Sequence, residues 1–336
     1  MKAVVISEWS DPQKFPVKDV EDPTPAPGEV LVEVHYSAVN FGDTLIATGR
    51  YQVKPNLPFV PGAECSGIVQ AVGEGVSDYA VGDHVAACGF VGDARKEKRI
   101  LGALAQLVSV PTVNLAKVPD TVSLEEAAAF RSPNETSYYG LKRGQLQPGE
   151  TLLVLGAGGA TGFAAVELGK MMGAHVIASA SSEEKRNIAL AGGADVAIDS
   201  RDPDWRGLIK EVTQGRGVDV VYDPVGGDAT EPAFRSIARG GRLLVIGFAA
   251  GRIPSLPTNL ALIKDISLVG ANLLQAMQAE PETTVADSKM LMEAFGRGDL
   301  SVPPITRTYP LEEAGQAYAD VAGGKISGRI VVDVKG

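Results

Sequence analysis

The stretch 151-TLLVLGAGGATGFAAVELGKMMGAHVIASASS-182 decides the fold. An apolar run, TLLVL, enters a glycine-rich turn; a helix-period segment follows, and a second apolar run, HVIASA, closes the unit. Three glycines, Gly156, Gly159 and Gly162, fall at intervals of three. The first allows a tight exit from the strand, the second lets a pyrophosphate approach the backbone, and the third lets the helix pack close to the sheet. This is not the usual G-x-G-x-x-G spacing, and a plain βα turn would also use such glycines. The surrounding βαβ unit favours a dinucleotide, because the N–H groups and dipole at a helix start attract phosphate. Gly156, Ala157, Gly159, Ala160, Thr161 and Gly162 are therefore the expected cofactor contacts of the turn.

Outward from that unit the rhythm repeats. TLLVLG (151–156), HVIASA (175–180), ADVAID (194–199), VDVVYD (218–223), GRLLVIGF (241–248) and ISLVGANL (266–273) are six strand-like runs, most of them separated by helical segments. The pattern predicts an α/β fold with a doubly wound, six-stranded parallel sheet. NAD sites usually place an acid at the tip of the second strand. Here the tip is Ala180, followed by Ser181, Ser182 and, one turn on, Lys185. Hydroxyls and a lysine suit a 2′-phosphate, so NADP(H) is the expected cofactor; in the opposite reading, Glu183 or Glu184 reaches the ribose. Gly247, Phe248 and Ala249 follow the fifth strand, at the carboxyl edge where such sheets receive ligand, and Asn272 follows the sixth.

Before residue 123 the texture is β-like, with short runs and glycine turns. In EVLVEV (29–34) the valines alternate with other residues, as in a half-buried strand. After the sixth strand, helix-like pieces near 286–296 and 311–322 and a final strand, SGRIVVDV, make a tail too short to stand alone. It should pack back on the N-terminal region. The expected organisation is a discontinuous β-rich domain, 1–123 and 271–336, around a cofactor domain, 124–270.

Composition narrows the function. The net charge of −10 repels phosphate backbones, so nucleic-acid binding is not expected, and RKEKR (95–99) reads as a solvated loop. No apolar run reaches membrane-spanning length, and MKAVVISEW lacks a signal-peptide pattern, which points to the cytoplasm. Two cysteines, Cys65 and Cys88, are too few for a disulfide framework or a four-thiolate zinc site.

The segments SAVNFGDTLIATGRY (37–51), PFVPGAECSGIVQAVGEGV (58–76), GDHVA (82–86), TSYYGL (136–141), LQPGETLLVLGAGGATG (146–162), GRLLVIGFAAG (241–251) and YPLEEAGQAY (309–318) resemble, in order and spacing, the medium-chain dehydrogenase/reductase superfamily. Within it, the chain is most similar to the zinc-free quinone oxidoreductases and their quinone-oxidoreductase-like relatives. The resemblance implies a GroES-like catalytic domain closed over a Rossmann domain, with substrate and nicotinamide meeting in the cleft. Zinc alcohol dehydrogenases of the superfamily carry Gly-His-Glu where this chain has Gly62-Ala63-Glu64, and their cysteine ligand is missing from SAVNFGD. His35, His84 and His175 form no obvious ligand spacing, so no metal is expected. Without a Lewis acid to hold an alkoxide, the hydride acceptors that remain are a quinone or an alkene conjugated to a carbonyl.

The resemblance also assigns residues. Asn40, Asp43 and Tyr51 line or support the substrate side: Asn40 as an amide donor, Tyr51 as a neutral phenol, Asp43 as an ionised orienting group; alternatively Asn40 and Asp43 merely cap a turn. Thr136 is implied near the nicotinamide, or else makes an ordinary helix hydroxyl bond, and Arg329 is implied near the cofactor phosphates, with a plain surface arginine as the alternative. Arg131 has two readings, recognition of an anionic substrate or a structural ion pair with Glu135 or a neighbour. The segments 90–104 and 273–286 are expected to shape the pocket, and a homodimer is expected through the edge strand ISLVGANL. The resulting expectation is an NADPH-dependent reductase of quinones or α,β-unsaturated carbonyls. Its alternatives are an enoyl- or acrylyl-CoA-type or 2-enoate reductase, and a catalytically silent NADPH-binding protein, crystallin-like or RNA-binding.

Overall fold

The computed structural model describes residues 1–51, 54–89, 102–324 and 326–336. The chain divides into two compact units. One comprises Met1–Ser132, Glu280–Asp299 and Ile305–Gly336, the other Pro133–Ala279 and Leu300–Pro304.

The second unit is built on the six predicted strands, Thr151–Leu155, His175–Ala180, Val196–Asp199, Val218–Asp223, Ile237–Val245 and Ser267–Gly270. All neighbouring pairs are parallel, and numbering the strands one to six gives the order 3-2-1-4-5-6. This order reverses direction at the first strand, the point where doubly wound sheets take ligand. Central strands are covered on both faces, which is why TLLVL is apolar throughout and wholly buried. Leu153, Leu155, Ile177, Val221 and Leu243 join Trp205, Ile209 and Phe234 in the core of this unit. The last strand is different: it lies at the sheet edge, and its Leu268 is 61% exposed.

The first unit centres on a seven-stranded sheet. Its path runs Ile305–Pro310, Arg329–Asp333, Glu29–Ala38, Glu64–Val72, His84–Cys88 and Leu115–Lys117, with Leu107–Pro111 pairing off that path to Glu29–Ala38. The alternation in EVLVEV is realised, with Val30, Val32 and Val34 buried. Arg329–Asp333 pairs antiparallel with Glu29–Ala38, Val331 lying opposite Ala38. A short helix, Phe41–Ala47, follows the long strand, and Ala314–Ala322 forms a later helix of the same unit.

The division of the chain differs from the expected 124–270 in three places. The helix Leu124–Arg143 contributes its first residues to the first unit, and the change falls at Ser132/Pro133. Helix Leu273–Ala279 belongs to the second unit, and Leu300–Pro304 returns to it. That short return is fastened by Glu167, whose carboxylate accepts from the Ser301 N–H at 3.0 Å and the Ser301 hydroxyl at 2.6 Å. No helix among the described residues is long and apolar enough to cross a membrane. The RKEKR cluster and most of the segment 90–104 lie outside the described residues.

Candidate functional site

In the second unit the glycine turn is compact. Gly156 has φ +63°, a conformation that favours glycine, and a Cβ on Gly162 would lie 2.3 Å from the Gly156 carbonyl oxygen. The first and third glycines therefore do what the spacing predicts. Gly159 caps the helix Ala160–Met171 in extended conformation, and a Cβ there would meet only the Gly156 oxygen, at 3.4 Å. The space beside Gly159 is thus open to a phosphate. Gly158, which spacing alone does not single out, has no such space: a Cβ would lie 2.4 Å from the Cβ of Lys185. Lys185 is consequently held directly against the turn.

The turn's donors are not equivalent. The Ala157 N–H bonds the Ser179 carbonyl and the Gly159 N–H bonds the Gly156 carbonyl, so both amides are engaged within the protein. Ala160, Thr161 and Gly162 head the helix, where N–H groups have no carbonyl one turn earlier. An anion at this helix start would find its donors there. Ser137, on the helix Leu124–Arg143, braces this start by donating to the Thr161 carbonyl at 2.8 Å, and it shares a 2.9 Å bond with the buried Tyr222 hydroxyl. Thr136, its neighbour, is half-buried on the same helix.

At the second strand's tip Ser181 is exposed, while Ser182 caps the helix Glu183–Ala191 through a 3.3 Å bond from the Lys185 N–H. The hydroxyl of Ser182 therefore has a structural occupation. Glu183 and Glu184 occupy the first turn of that helix and line an open groove with Phe163, Ile188, Val302 and Pro304. The acid that does sit level with Ala180 is Asp199, its register partner on the neighbouring strand. Arg186 pairs with Asp199 at 2.9 Å, and the Arg201 N–H donates to it at 2.9 Å. Backbone and guanidinium donors hold the Asp199 carboxyl below its usual range. The end of the run ADVAID carries this signal, which a reading confined to the second strand passes over.

The loops after the fourth and fifth strands are fixed by Asp223. Its buried carboxylate accepts from the Val225 and Gly226 N–H groups at 2.9 and 2.8 Å and from the Thr230 hydroxyl at 2.6 Å. Phe248 packs against Gly226, and the Ala249 N–H bonds the Pro224 carbonyl, so Gly247, Phe248 and Ala249 form one ordered ledge with this loop. Asn272 accepts from the Gln275 N–H at 3.2 Å, at the head of helix Leu273–Ala279.

The first unit contains a separate polar cluster. Asn40 ends the long strand's exit and precedes the helix Phe41–Ala47. Its Nδ2 donates to Glu64 Oε2 at 3.0 Å, and its Oδ1 accepts from Arg329 Nη1 at 2.9 Å. Arg329 Nη2 reaches Glu64 Oε2 at 3.1 Å, closing a three-residue ring of contacts. Glu64 is fully buried and also accepts from the Ser132 N–H at 2.7 Å. Arg329 is 3% exposed, so it is no surface arginine; a carboxylate and an amide within this unit hold its guanidinium.

Asp43 accepts from the Asn40 backbone N–H at 2.9 Å, the turn-capping role foreseen as the alternative. Its ionisation corrects the sequence expectation. Burial pushes its carboxyl up to about 7, the Glu64 charge adds to this, and the Asn40 N–H and Arg329 oppose it. Asp43 is thus partly protonated at neutral pH. Burial, and then the Asp43 charge, push the Tyr51 phenol above its ordinary value and keep it a neutral donor. Tyr318, from helix Ala314–Ala322, responds to the same two causes, and its fully buried hydroxyl has no hydrogen-bond partner among the described residues.

The anion-recognition reading of Arg131 is corrected. The side chain is 1% exposed and donates to the carbonyls of Ala86, on the strand His84–Cys88, and Asn114, in a short 3-10 turn, both in the first unit with Arg131 itself. His35 and His175 contact Glu33 and Asp195 respectively. Cys65 is buried, and burial raises its thiol well above the ordinary value.

Known proteins share both halves of this arrangement. Residues 26–120 match the alcohol dehydrogenase GroES-like domain, and residues 160–288 match the zinc-binding dehydrogenase family model. The chain is 36% identical over 309 residues to a quinone oxidoreductase-like protein 2 homolog of Nematostella vectensis, covering 91% of this chain and 82% of that one. A quinone oxidoreductase of Pseudomonas syringae is 32% identical, with TM-score 0.87 over 99% of both chains. The Escherichia coli quinone oxidoreductase complexed with NADPH is 27% identical, with TM-score 0.88 over 99% of this chain and 100% of that one.

Proposed function

The chain belongs to the quinone oxidoreductase family of the medium-chain dehydrogenases/reductases, and from that premise we propose that it reduces a quinone or an α,β-unsaturated carbonyl compound with NADPH, without zinc. The observation that carries this reading is the Asn40–Glu64–Arg329 cluster. Where the resemblance gives zinc alcohol dehydrogenases a Gly-His-Glu motif, here Ala63 stands in place of the histidine, and Glu64 is engaged by a guanidinium, an amide and the Ser132 N–H. A carboxylate so occupied, beside a fixed positive charge, is a poor host for a divalent cation.

The nucleotide fits the chain's own residues. The open side of Gly159 and the N–H groups of Ala160, Thr161 and Gly162 suit the pyrophosphate. Arg186 and Arg201 pair with Asp199, the acid level with the second strand's tip, and Lys185 lies against the glycine turn, so basic groups are at hand for a 2′-phosphate. When bound, NADPH supplies the hydride and with it the difficult part of the chemistry. What remains for the protein is orientation and a donor for the acceptor's oxygen. Asn40, half-buried, and Tyr51, held neutral, are suited to that task. Thr136, Gly247, Phe248, Ala249 and Asn272 are proposed as further cofactor neighbours, Asn272 through its backbone because its side chain already caps a helix.

The enoate and acyl-CoA version of this reading loses the anion receptor assigned to it, since Arg131 is committed to carbonyls. The exposed edge strand Ser267–Gly270, with Leu268 at 61% exposure and Leu262 at 82% on the preceding helix, supports a homodimer formed through this face. The deciding experiment follows NADPH absorbance after chelator treatment, with p-benzoquinone and methyl vinyl ketone as acceptors and NADH in parallel. Chelator-insensitive oxidation that is faster with NADPH is expected. Tight NADPH binding with no oxidation by either class of acceptor would mark a binding protein instead.

A further inference from the structure

We infer that Asp199 sets how strongly the chain separates NADPH from NADH. Its carboxylate holds the Arg186 guanidinium across the tip of the second strand, so a 2′-phosphate must share a cation that is already paired. This rests on the nucleotide placement proposed above. All the residues concerned belong to the second unit.

Asp199, the last residue of the third strand, stands in register with Ala180, the last residue of the second. In doubly wound sheets that tip is where the adenosine ribose presents its 2′ group, and where an acid commonly accepts from a 2′-hydroxyl. Here the acid comes from the neighbouring strand, at the same level. Glu183 and Glu184, the other acids that follow the tip, line the groove with Phe163 and Val302 instead. Arg186, near the start of helix Glu183–Ala191, reaches back to both strands. Its Nη1 donates to the Ala180 carbonyl at 3.4 Å and pairs with Asp199 Oδ2 at 2.9 Å. The other carboxylate oxygen, Oδ1, accepts from the Arg201 backbone N–H at 2.9 Å and lies 3.5 Å from Arg201 Nε. That backbone donor, aided by the two guanidinium groups, holds the carboxyl below its usual range, so Asp199 is charged at neutral pH.

The Arg186 and Asp199 side chains are 22% and 32% exposed, so the pair is fixed yet open to a ligand. A 2′-phosphate at this tip gains Arg186 only by sharing it, and is repelled by the carboxylate. A 2′-hydroxyl carries no charge and meets neither penalty; it can donate to the acid. The pair therefore weakens NADPH selectively and moderates the preference that the basic groups create. One unit charge acting on a phosphate near the protein surface is worth about ten-fold in affinity.

The test titrates the full chain calorimetrically with 2′,5′-ADP and 5′-AMP, which carry the distinguishing group without the nicotinamide. Asp199→Asn keeps an acceptor for the Arg201 N–H and removes the charge. It should bind 2′,5′-ADP about ten-fold more tightly than the wild type, with 5′-AMP no tighter. Asp199→Glu keeps the charge and should stay near the wild-type ratio of affinities. Arg186→Met should weaken 2′,5′-ADP and leave 5′-AMP alone, and in that background Asp199→Asn should gain less. An Asp199→Asn whose ratio equals the wild type's overturns the inference, as does a gain undiminished by Arg186→Met. The wild-type ratio tests the cofactor reading separately. A wild type that favours 5′-AMP sinks the NADPH assignment, while a shift toward 2′,5′-ADP on Asp199→Asn still supports the inference. A wild type that binds neither probe overturns both.

Discussion

Asp43 shows how far a residue's chemistry can depart from its type. Its carboxyl lies at about 7 against an ordinary value of 3.8 because burial and Glu64 outweigh the Asn40 N–H and Arg329. Between those two values the folded chain holds a proton that the unfolded chain has lost. Stability from this group therefore falls as pH rises from 3.8 toward about 7 and levels off above. Asp43→Asn keeps an acceptor for the Asn40 N–H and removes the titration. Its stability should gain on the wild type across that window, by an amount on the order of a few kcal/mol at neutral pH; thermal midpoints that track each other at every pH would refute this. None of it is legible in SAVNFGD, since Glu64 and Arg329 come from distant segments. The glycine turn is the opposite case. Positive φ at Gly156 and crowding at Gly162 are readable from spacing, whereas the need for Gly158 is not, because its constraint is Lys185. Gly158→Ala should cost about 1–3 kcal/mol of stability through overpacking. Gly159→Ala should cost under about 1 kcal/mol and act chiefly on NADPH affinity, so melting and NADPH fluorescence titration of the pair should give opposite rankings.

At the scale of elements, period and length locate all six strands of the parallel sheet, and strand ends move by a few residues. GRLLVIGF begins its pairing earlier, at Ile237, because a register shift lets the strand continue through Gly240 and Gly241. ISLVGANL shrinks to Ser267–Gly270, since an edge strand pairs on one side only and Asn272 caps the helix that follows. The edge position and the exposed Leu268 give the dimer proposal a direct test. A lysine at this position blunts strand pairing. Leu268→Lys should elute as a monomer in light-scattering chromatography while keeping its melting curve in dilute solution; an unchanged mass would place any dimer on another face. The helix Leu124–Arg143 carries a different lesson. Its Arg131 admits two sequence readings, a receptor for anions or a structural ion pair, and the guanidinium is found donating to the carbonyls of Ala86 and Asn114.

Across the molecule, the β-rich and doubly wound halves are legible from texture, because each has its own period. The tail is harder. A split at residue 271 follows the end of the last strand-like run, but helix Leu273–Ala279 stays with the parallel sheet, and Leu300–Pro304 rejoins it through the Glu167–Ser301 bonds. Such returns depend on single side-chain contacts across more than a hundred residues of sequence, which periodicity does not record. Function is legible in the same uneven way. The glycine turn is local and contiguous. The Asn40–Glu64–Arg329 cluster joins three strands' ends and emerges only when the sheet is assembled.

The pairing of Arg329–Asp333 with Glu29–Ala38 sets an order of events during synthesis. Glu64 leaves the ribosome long before its countercharge exists. At roughly 5–20 residues per second, the wait is on the order of tens of seconds. Through that interval the nascent N-terminal sheet lacks one flank, and burying the acid without Arg329 is strongly unfavourable. The polypeptide is thus biased to stay open around Glu64 until translation passes residue 329, which makes a prematurely stopped product unable to form the cluster at all.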